Sequence, residues 1–444
     1  MSANVKNLTS GPIFKQLTKL ALPIMATSFV QMAYNLTDMA WIGRLGSESV
    51  AAVGSVGLLM WLTTSGALLS KIGAEVSIGQ SIGAKKMEDA RIYASHTTTI
   101  AIIFSLLIAV VLFAGAHWIL SFFRLSPDIS SEATAYLRIV TIGLPFVFLV
   151  LTFSGIYNAS GRSATPFYLI ASGLIGNMVL DPLFIYGFGW GVRGAAWATL
   201  LSQLLVFALF IRQLKQRSSI LNRFPILTKL KKSYSLRIIQ LGFPVAMMDT
   251  LFAVLNMTLA RIASIFGGHI GLMSQTTGGQ IEGVTWNTSK GFSTALGAFV
   301  AQNYGAGKKE RTKKAYQYTL ALLSALGVII SAAFLLFGKE IFGIFVPEQQ
   351  AKIAGGEYLT IMGVSQLFMM WEITTQGMFI GHGRTLPPAI TSIVLNVARI
   401  PLALYLAPIY GVAGIWWAIV ISSVLKGVIL PVWWAVSSLC FPMK

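Results

Sequence analysis

Long apolar runs separated by short polar stretches organise this chain of 444 residues. At about 20 apolar residues per membrane-crossing helix, the runs predict twelve spans, over 17–42, 49–72, 92–118, 133–156, 166–187, 191–213, 236–262, 277–301, 316–338, 354–379, 387–407 and 411–437. The expected fold is therefore all-α and integral to a membrane, with twelve transmembrane helices. Composition agrees: 55% of residues are hydrophobic and 11% charged, with mean hydropathy +0.72. A water-facing globular surface needs nearer 25% charged residues. Cys440 stands alone, so no internal disulfide is expected. Lys15 and Lys19 lead directly into a full-length apolar run with no small-residue cleavage pattern, so the first span is expected to be retained.

A formal charge of +18 in a soluble protein points to nucleic acid. Here the basic residues alternate with spans and form no nucleic-acid motif, so no nucleic-acid partner is expected. They act instead as topology signals. Lys85, Lys86 and Arg91 follow the second span, Arg162 the fourth, Lys308, Lys309, Arg311, Lys313 and Lys314 the eighth, and Arg384 the tenth. Arg212, Lys215, Arg217, Arg223, Lys229, Lys231, Lys232 and Arg237 surround the link after the sixth. The opposite loops hold Arg44, Arg124, Arg193, Lys339 and Lys352. By the positive-inside rule both termini face the cytoplasm, in a multi-pass protein of the plasma or inner membrane.

The two halves repeat. Gln80-Ser-Ile-Gly83-Ala84 returns as Gln302-Asn-Tyr-Gly305-Ala306 at a shift of 222, each followed by a lysine pair, and Gly161-Arg162 returns as Gly383-Arg384 at the same shift. Leu22-Pro23 matches Phe243-Pro244, Asn35 matches Asn256, and the 191–197 run matches 411–417. Each copy holds six helices, an even number, which predicts two pseudo-symmetric six-helix bundles related by an axis along the membrane normal, with a cleft between them. The expected division is an N-terminal lobe over 1–212, a basic cytoplasmic linker over 213–235, and a C-terminal lobe over 236–444. Positions where the copies differ are the functional candidates: Asp38 corresponds to Leu259, and Asp181 to Ile400.

A carboxylate inside a span loses hydration that lipid does not replace, at roughly 2.5–3.5 kcal/mol on insertion scales. Asp38 lies in such a span. Tyr34 and Asp38, Asn177 and Asp181, and Ala195 and Thr199 are each four residues apart, so each pair shares a helix face. If the three faces meet, they enclose two carboxylates, an amide, a hydroxyl and a phenol, a set suited to a proton or a hard monovalent cation such as sodium held by Asp38, Asn177, Asp181 and Thr199. Two enclosed carboxylates resist ionising together, which makes the pair a proton switch. A second reading of Asp181 remains open, because Pro182 follows it and pre-proline residues tend to leave helical geometry and cap or pair locally. Pro23 lies fifteen residues before Asp38 and marks the expected bend of the first span. Gln31, Tyr34, Asp249, Glu282 and Glu372 are the candidates for lining a substrate cavity, with Lys290 the expected partner of Glu282. Glu75 is a further acid within a span.

Several chemistries lack their residues. Gly305-Ala-Gly-Lys-Lys has neither the earlier glycine nor the Ser or Thr of a phosphate-binding loop. His96, His117, His269 and His382 show no metal-ligand spacing, and no nucleophile elbow occurs. No enzyme activity and no organic cofactor are expected.

On these features, the chain resembles the multidrug and toxic compound extrusion (MATE) antiporters, in their DinF-like prokaryotic branch. The resemblance rests on the twelve spans, the six-helix repeat, the first helix with Pro23 and Asp38, and the Asn177-x-x-x-Asp181-Pro182 run. It implies export of lipophilic, mostly cationic organic compounds by a monomer, in exchange for protons or Na+. It also implies that Asp38 is the essential carboxylate, that Tyr34, Asn177, Asp181 and Thr199 hydrogen-bond around it, that Pro23 is the bend point, and that Ala195 offers a carbonyl to sodium. The rival expectation is a lipid-linked oligosaccharide or lipid flippase of related architecture, kept open by Lys71, Arg138, Lys290, Arg399 and Lys426 within the spans.

Overall fold

Apolar runs of this length hide their backbone polar groups in lipid only by forming helices, and helices are what the chain builds. The computed structural model describes residues 5–123, 125–216, 221, 223–346 and 348–440. Arg124 and Arg217 of the charge pattern, and the side chain of Cys440, lie outside the described set. The helices are α1 (Ile13–Gly43), α2 (Ser47–Gly83), α3 (Met87–Ser121), α4 (Pro127–Ile142), α5 (Leu144–Ala159), α6 (Ala164–Pro182), α7 (Gly191–Lys215), α8 (Lys232–Gly305), α9 (Lys309–Phe345), α10 (Gln349–Gly363), α11 (Gln366–Gly381), α12 (Leu386–Tyr410) and α13 (Val412–Cys440).

Thirteen helices make twelve spans for local reasons. The fourth predicted span is a bent pair, α4 and α5, meeting at 46° where Gly143 precedes Pro145. The tenth is likewise divided into α10 and α11 at Val364–Ser365. Conversely, α8 is 74 residues long and breaks at Gly268, where φ is 58° and ψ is −148°, so it supplies two spans. Eight of the described helices are long and apolar enough to cross a membrane unaided, α8 counting once, and the α4–α5 pair makes a ninth.

The chain forms two compact units. The first comprises residues 1–10, 22–246 and 301–307, and the second 11–21, 247–300 and 308–444. In the first, Phe148, Phe153, Ile156 and Phe210 are fully buried with Ala67, Ala74 and Ile78. In the second, Leu259, Phe342, Leu359 and Ile415 fill the core with Tyr358 and Trp416.

The internal repeat is written in the backbone. Gly161 and Gly383 end α5 and α11 with the same φ of 75°, a left-handed conformation that costs glycine no Cβ clash. A reciprocal contact joins the two copies of the Gln-x-x-Gly-Ala motif inside the first unit: a Cβ on Gly83 would overlap the Gln302 carbonyl, and one on Gly305 would overlap that of Gln80. Small residues let helices in lipid approach this closely. Gly83→Ala is expected to cost roughly 1–3 kcal/mol by forcing the two backbones apart, read as a lower apparent Tm of the purified protein.

Candidate functional site

Three helices of the first unit carry the paired residues. Tyr34 and Asp38 sit on α1, Asn177 and Asp181 on α6, and Ala195 and Thr199 on α7. Their faces meet. The Tyr34 hydroxyl donates to Thr199 Oγ1 at 3.0 Å, and Asn177 Nδ2 donates to Asp181 Oδ1 at 3.0 Å. Asp38 and Asp181 are electrostatic neighbours of one another and of Tyr34. Asp38 is 8% exposed, while Asn177, Asp181 and Ala195 are completely buried. α6 stays helical through Asp181 and Pro182 and then widens into a π-turn over Leu183–Gly187. The proline therefore widens the turn after the acid and leaves its helical face intact.

The chemistry of the site lies in what is unmade. Asp38 Oδ1, Asp181 Oδ2 and Asn177 Oδ1 are buried with no hydrogen-bond partner, and each such group forfeits about 1–3 kcal/mol until something donates to it. A proton on either carboxyl, or a monovalent cation among these oxygens, supplies what is missing. No group of three His, Cys, Asp or Glu side chains suited to a metal occurs among the described residues, so the donor set holds two acids and otherwise neutral oxygens.

Tyr136 completes the site and was passed over in the sequence. It sits on α4, 6% exposed, and lies beside Thr199 in the electrostatic field of Asp38, Tyr34 and Asp181. Its counterpart at a shift of 222 is Tyr358. A search for differences between the copies discards a position at which both carry tyrosine.

The MatE family pattern matches residues 23–183 and 244–405, one stretch in each half. The chain belongs to the MatE family. A shorter match, to the lipid II flippase MurJ, covers residues 128–264. Among curated relatives, the probable multidrug resistance protein NorM of Thermotoga maritima is 27% identical over 423 residues, covering 93% of this chain and 90% of the relative. The probable multidrug resistance protein YoeA of Bacillus subtilis is 26% identical over 356 residues, covering 76% and 74%. A solved structure of a MATE protein in the bent conformation superposes with a TM-score of 0.92 at 24% identity, covering 98% of this chain and 97% of that one, which establishes the fold.

In the second unit of this MatE chain the acids have resident partners. Asp249 Oδ1 lies 3.3 Å from Lys290 Nζ, and Lys290 also sits 3.8 Å above the Trp286 ring. The expected Lys290–Glu282 pair does not form, because eight residues along a helix separate the two by about 12 Å. Glu282 instead accepts from the Tyr358 hydroxyl at 2.8 Å and from Gln366 Nε2 at 2.6 Å. Glu372 is paired with Lys426 at 3.0 Å and accepts from Ser392 and Gln376, both at 3.0 Å. Arg399 donates to Ser422 and Ser423. Gln31 is exposed on α1, three residues before Tyr34.

Proposed function

We propose that this MatE-family protein is a secondary multidrug exporter. It expels lipophilic, mostly cationic organic compounds in exchange for protons, with Na+ the competing coupling ion, by alternating access as a monomer. The observation that carries the reading is the pair of buried carboxylates, Asp38 and Asp181, each with an oxygen lacking a partner inside the membrane. Membership of the MatE family and the names of the relatives from Thermotoga maritima and Bacillus subtilis support the substrate class.

Ion and drug exclude each other through one equilibrium. A ligand shifts a conformational balance only by its differential affinity for the two states, so proton and drug favour opposite arrangements of the first unit. Tyr34, Asn177, Thr199 and Tyr136 orient the two carboxyls, Ala195 lies beside them, and Pro23 gives α1 a point of bending. Gln31 and Tyr34 on α1, and Asp249, Glu282 and Glu372 in the second unit, are the residues proposed to contact the drug. The distribution of basic residues supports an orientation with both termini in the cytoplasm. One proton per monovalent drug moves no net charge; a second would add about 2.3 kcal/mol per 100 mV of membrane potential.

Dye efflux from everted vesicles tests the reading. An imposed pH gradient is expected to drive efflux in Na+-free buffer, and collapsing it with a protonophore to stop it. Efflux that follows only a Na+ gradient would reassign the ion, and efflux that follows neither would remove the antiport reading. The MurJ match favours a second reading, lipid flipping. Two of the intramembrane cations that would hold a pyrophosphate are already paired with acids, and a fluorescent lipid-flip assay in liposomes separates the readings.

A further inference from the structure

Three carboxyl groups among the described residues keep a buried oxygen without a hydrogen-bond partner: Asp38, Asp181 and Glu75. The first two form the site described above. Glu75 has no part in it, although it is 3% exposed inside α2. The signature is selective, since Glu282 and Glu372 have donors on both oxygens.

Depth places Glu75 at the other end of the span. α1 and α2 are joined by residues 44–46. At 1.5 Å per residue, Asp38 lies about 8 Å from that turn and Glu75 about 42 Å from it, a difference comparable to the hydrocarbon thickness. Lys85 and Lys86, on the basic face, follow α2 directly. The α2 stripe through Gly57, Trp61, Thr64, Leu68 and Ile72 recurs every three or four residues and stays partly or fully exposed, and it becomes buried at Glu75. Glu75 is thus the buried acid of α2 that lies toward its basic end.

The helix around Glu75 is closely packed, and its Oε2 has no hydrogen-bond partner. α2 is held at backbone distance on its other faces, by Gly155 of α5 against Lys71 and by Gly242 of α8 against Leu69. The charge beside Glu75 is Lys71, one turn earlier on the same helix. The titratable groups of the packed elements are engaged elsewhere. On α8, Arg237 bonds Gln80 and Tyr234 bonds Asp89. On α3, His96 is held between Ile92 O and Lys231 N, and Tyr93 packs on Tyr234. On the α5 side, Tyr157 has Arg162 as its charged neighbour; on α4, Arg138 lies over Phe113 and Tyr136 belongs to the Asp38 site.

We infer that Glu75 is a second proton-binding site of the first repeat, which accepts the proton leaving Asp38 and Asp181 and delivers it to the basic face. The step moves one proton between carboxyl groups and water, and Lys71 balances the charge while the site is empty. The inference rests on the proton-exchange reading above.

The test is full-length Glu75→Gln in proteoliposomes and in weakly buffered detergent solution. Dye affinity is expected to stay within about twofold, while exchange slows by roughly tenfold or more, the scale of a lost proton-transfer group. Its dependence on pH at the basic face should flatten, and the protons exchanged per dye bound should fall. Glu75→Asp is expected to recover most of the rate. Wild-type rate, pH profile and proton count in Glu75→Gln would overturn the inference. So would equal losses in Glu75→Gln and Glu75→Asp with an unchanged pH profile, which mark a packing role. If Glu75→Gln does not fold, Lys71→Gln is read for the same change in pH profile, and an unchanged profile overturns the inference. Failure of the exchange reading looks different: Asp38→Asn would then retain gradient-driven efflux whatever Glu75 does.

Discussion

Asp38→Asn is expected to reduce gradient-driven dye efflux to the leak rate of empty vesicles while the protein still elutes at the wild-type position. Asparagine keeps the size of the side chain and adds a donor that its surroundings accept, since Asp181 Oδ2 and Asn177 Oδ1 lack partners. It cannot exchange a proton. The fold therefore survives, and one arm of the cycle is frozen. Asp181→Asn removes the carboxyl that feels the charge of Asp38, and it is expected to be impaired but measurable, because one exchangeable carboxyl remains. Efflux at the wild-type rate in Asp38→Asn would take that residue out of the mechanism.

Lys426→Met is expected to be the most destabilising single change in the second unit, and Glu372→Gln combined with Lys426→Met close to neutral. The two side chains are 7% and 5% exposed and their charged atoms are 3.0 Å apart. Removing one partner of a buried pair leaves an uncompensated charge, at about 3–5 kcal/mol, whereas replacing both with neutral groups of similar size is often neutral or stabilising. Ser392 and Gln376 would still donate to Glu372, and Arg399, held by Ser422 and Ser423, would be the nearby cation. Apparent melting temperatures of the purified single and double variants measure this. A double variant as unstable as the single would show that the loss came from packing around the lysine stem.

Much of the first-unit site was legible in the chain because its residues obey local geometry. Tyr34 with Asp38 and Asn177 with Asp181 are spaced four apart, and that spacing alone puts each pair on one helix face. Tyr136 has no such partner along the chain; it comes to the site from another helix. The second-unit pairs were equally hidden. Lys290 reaches Asp249, 41 residues away, past the Gly268 break, and no spacing rule links positions across a reversal of the chain. The bends at Gly143 and Val364 were missed for a related reason, since each half-helix continues the same apolar run.

The sequence by itself determined the membrane class, the spans, the repeat and the presence of acids where lipid tolerates few, because a bilayer imposes length and polarity on every stretch that crosses it, wherever that stretch ends up. Only the tertiary structure decided which donor each acid meets and which acids are left short of one. Apolar surface drives helices together weakly inside lipid, so side-by-side contacts are set by close backbone approach, as at Gly83 and Gly305, and by polar groups that find each other across helices.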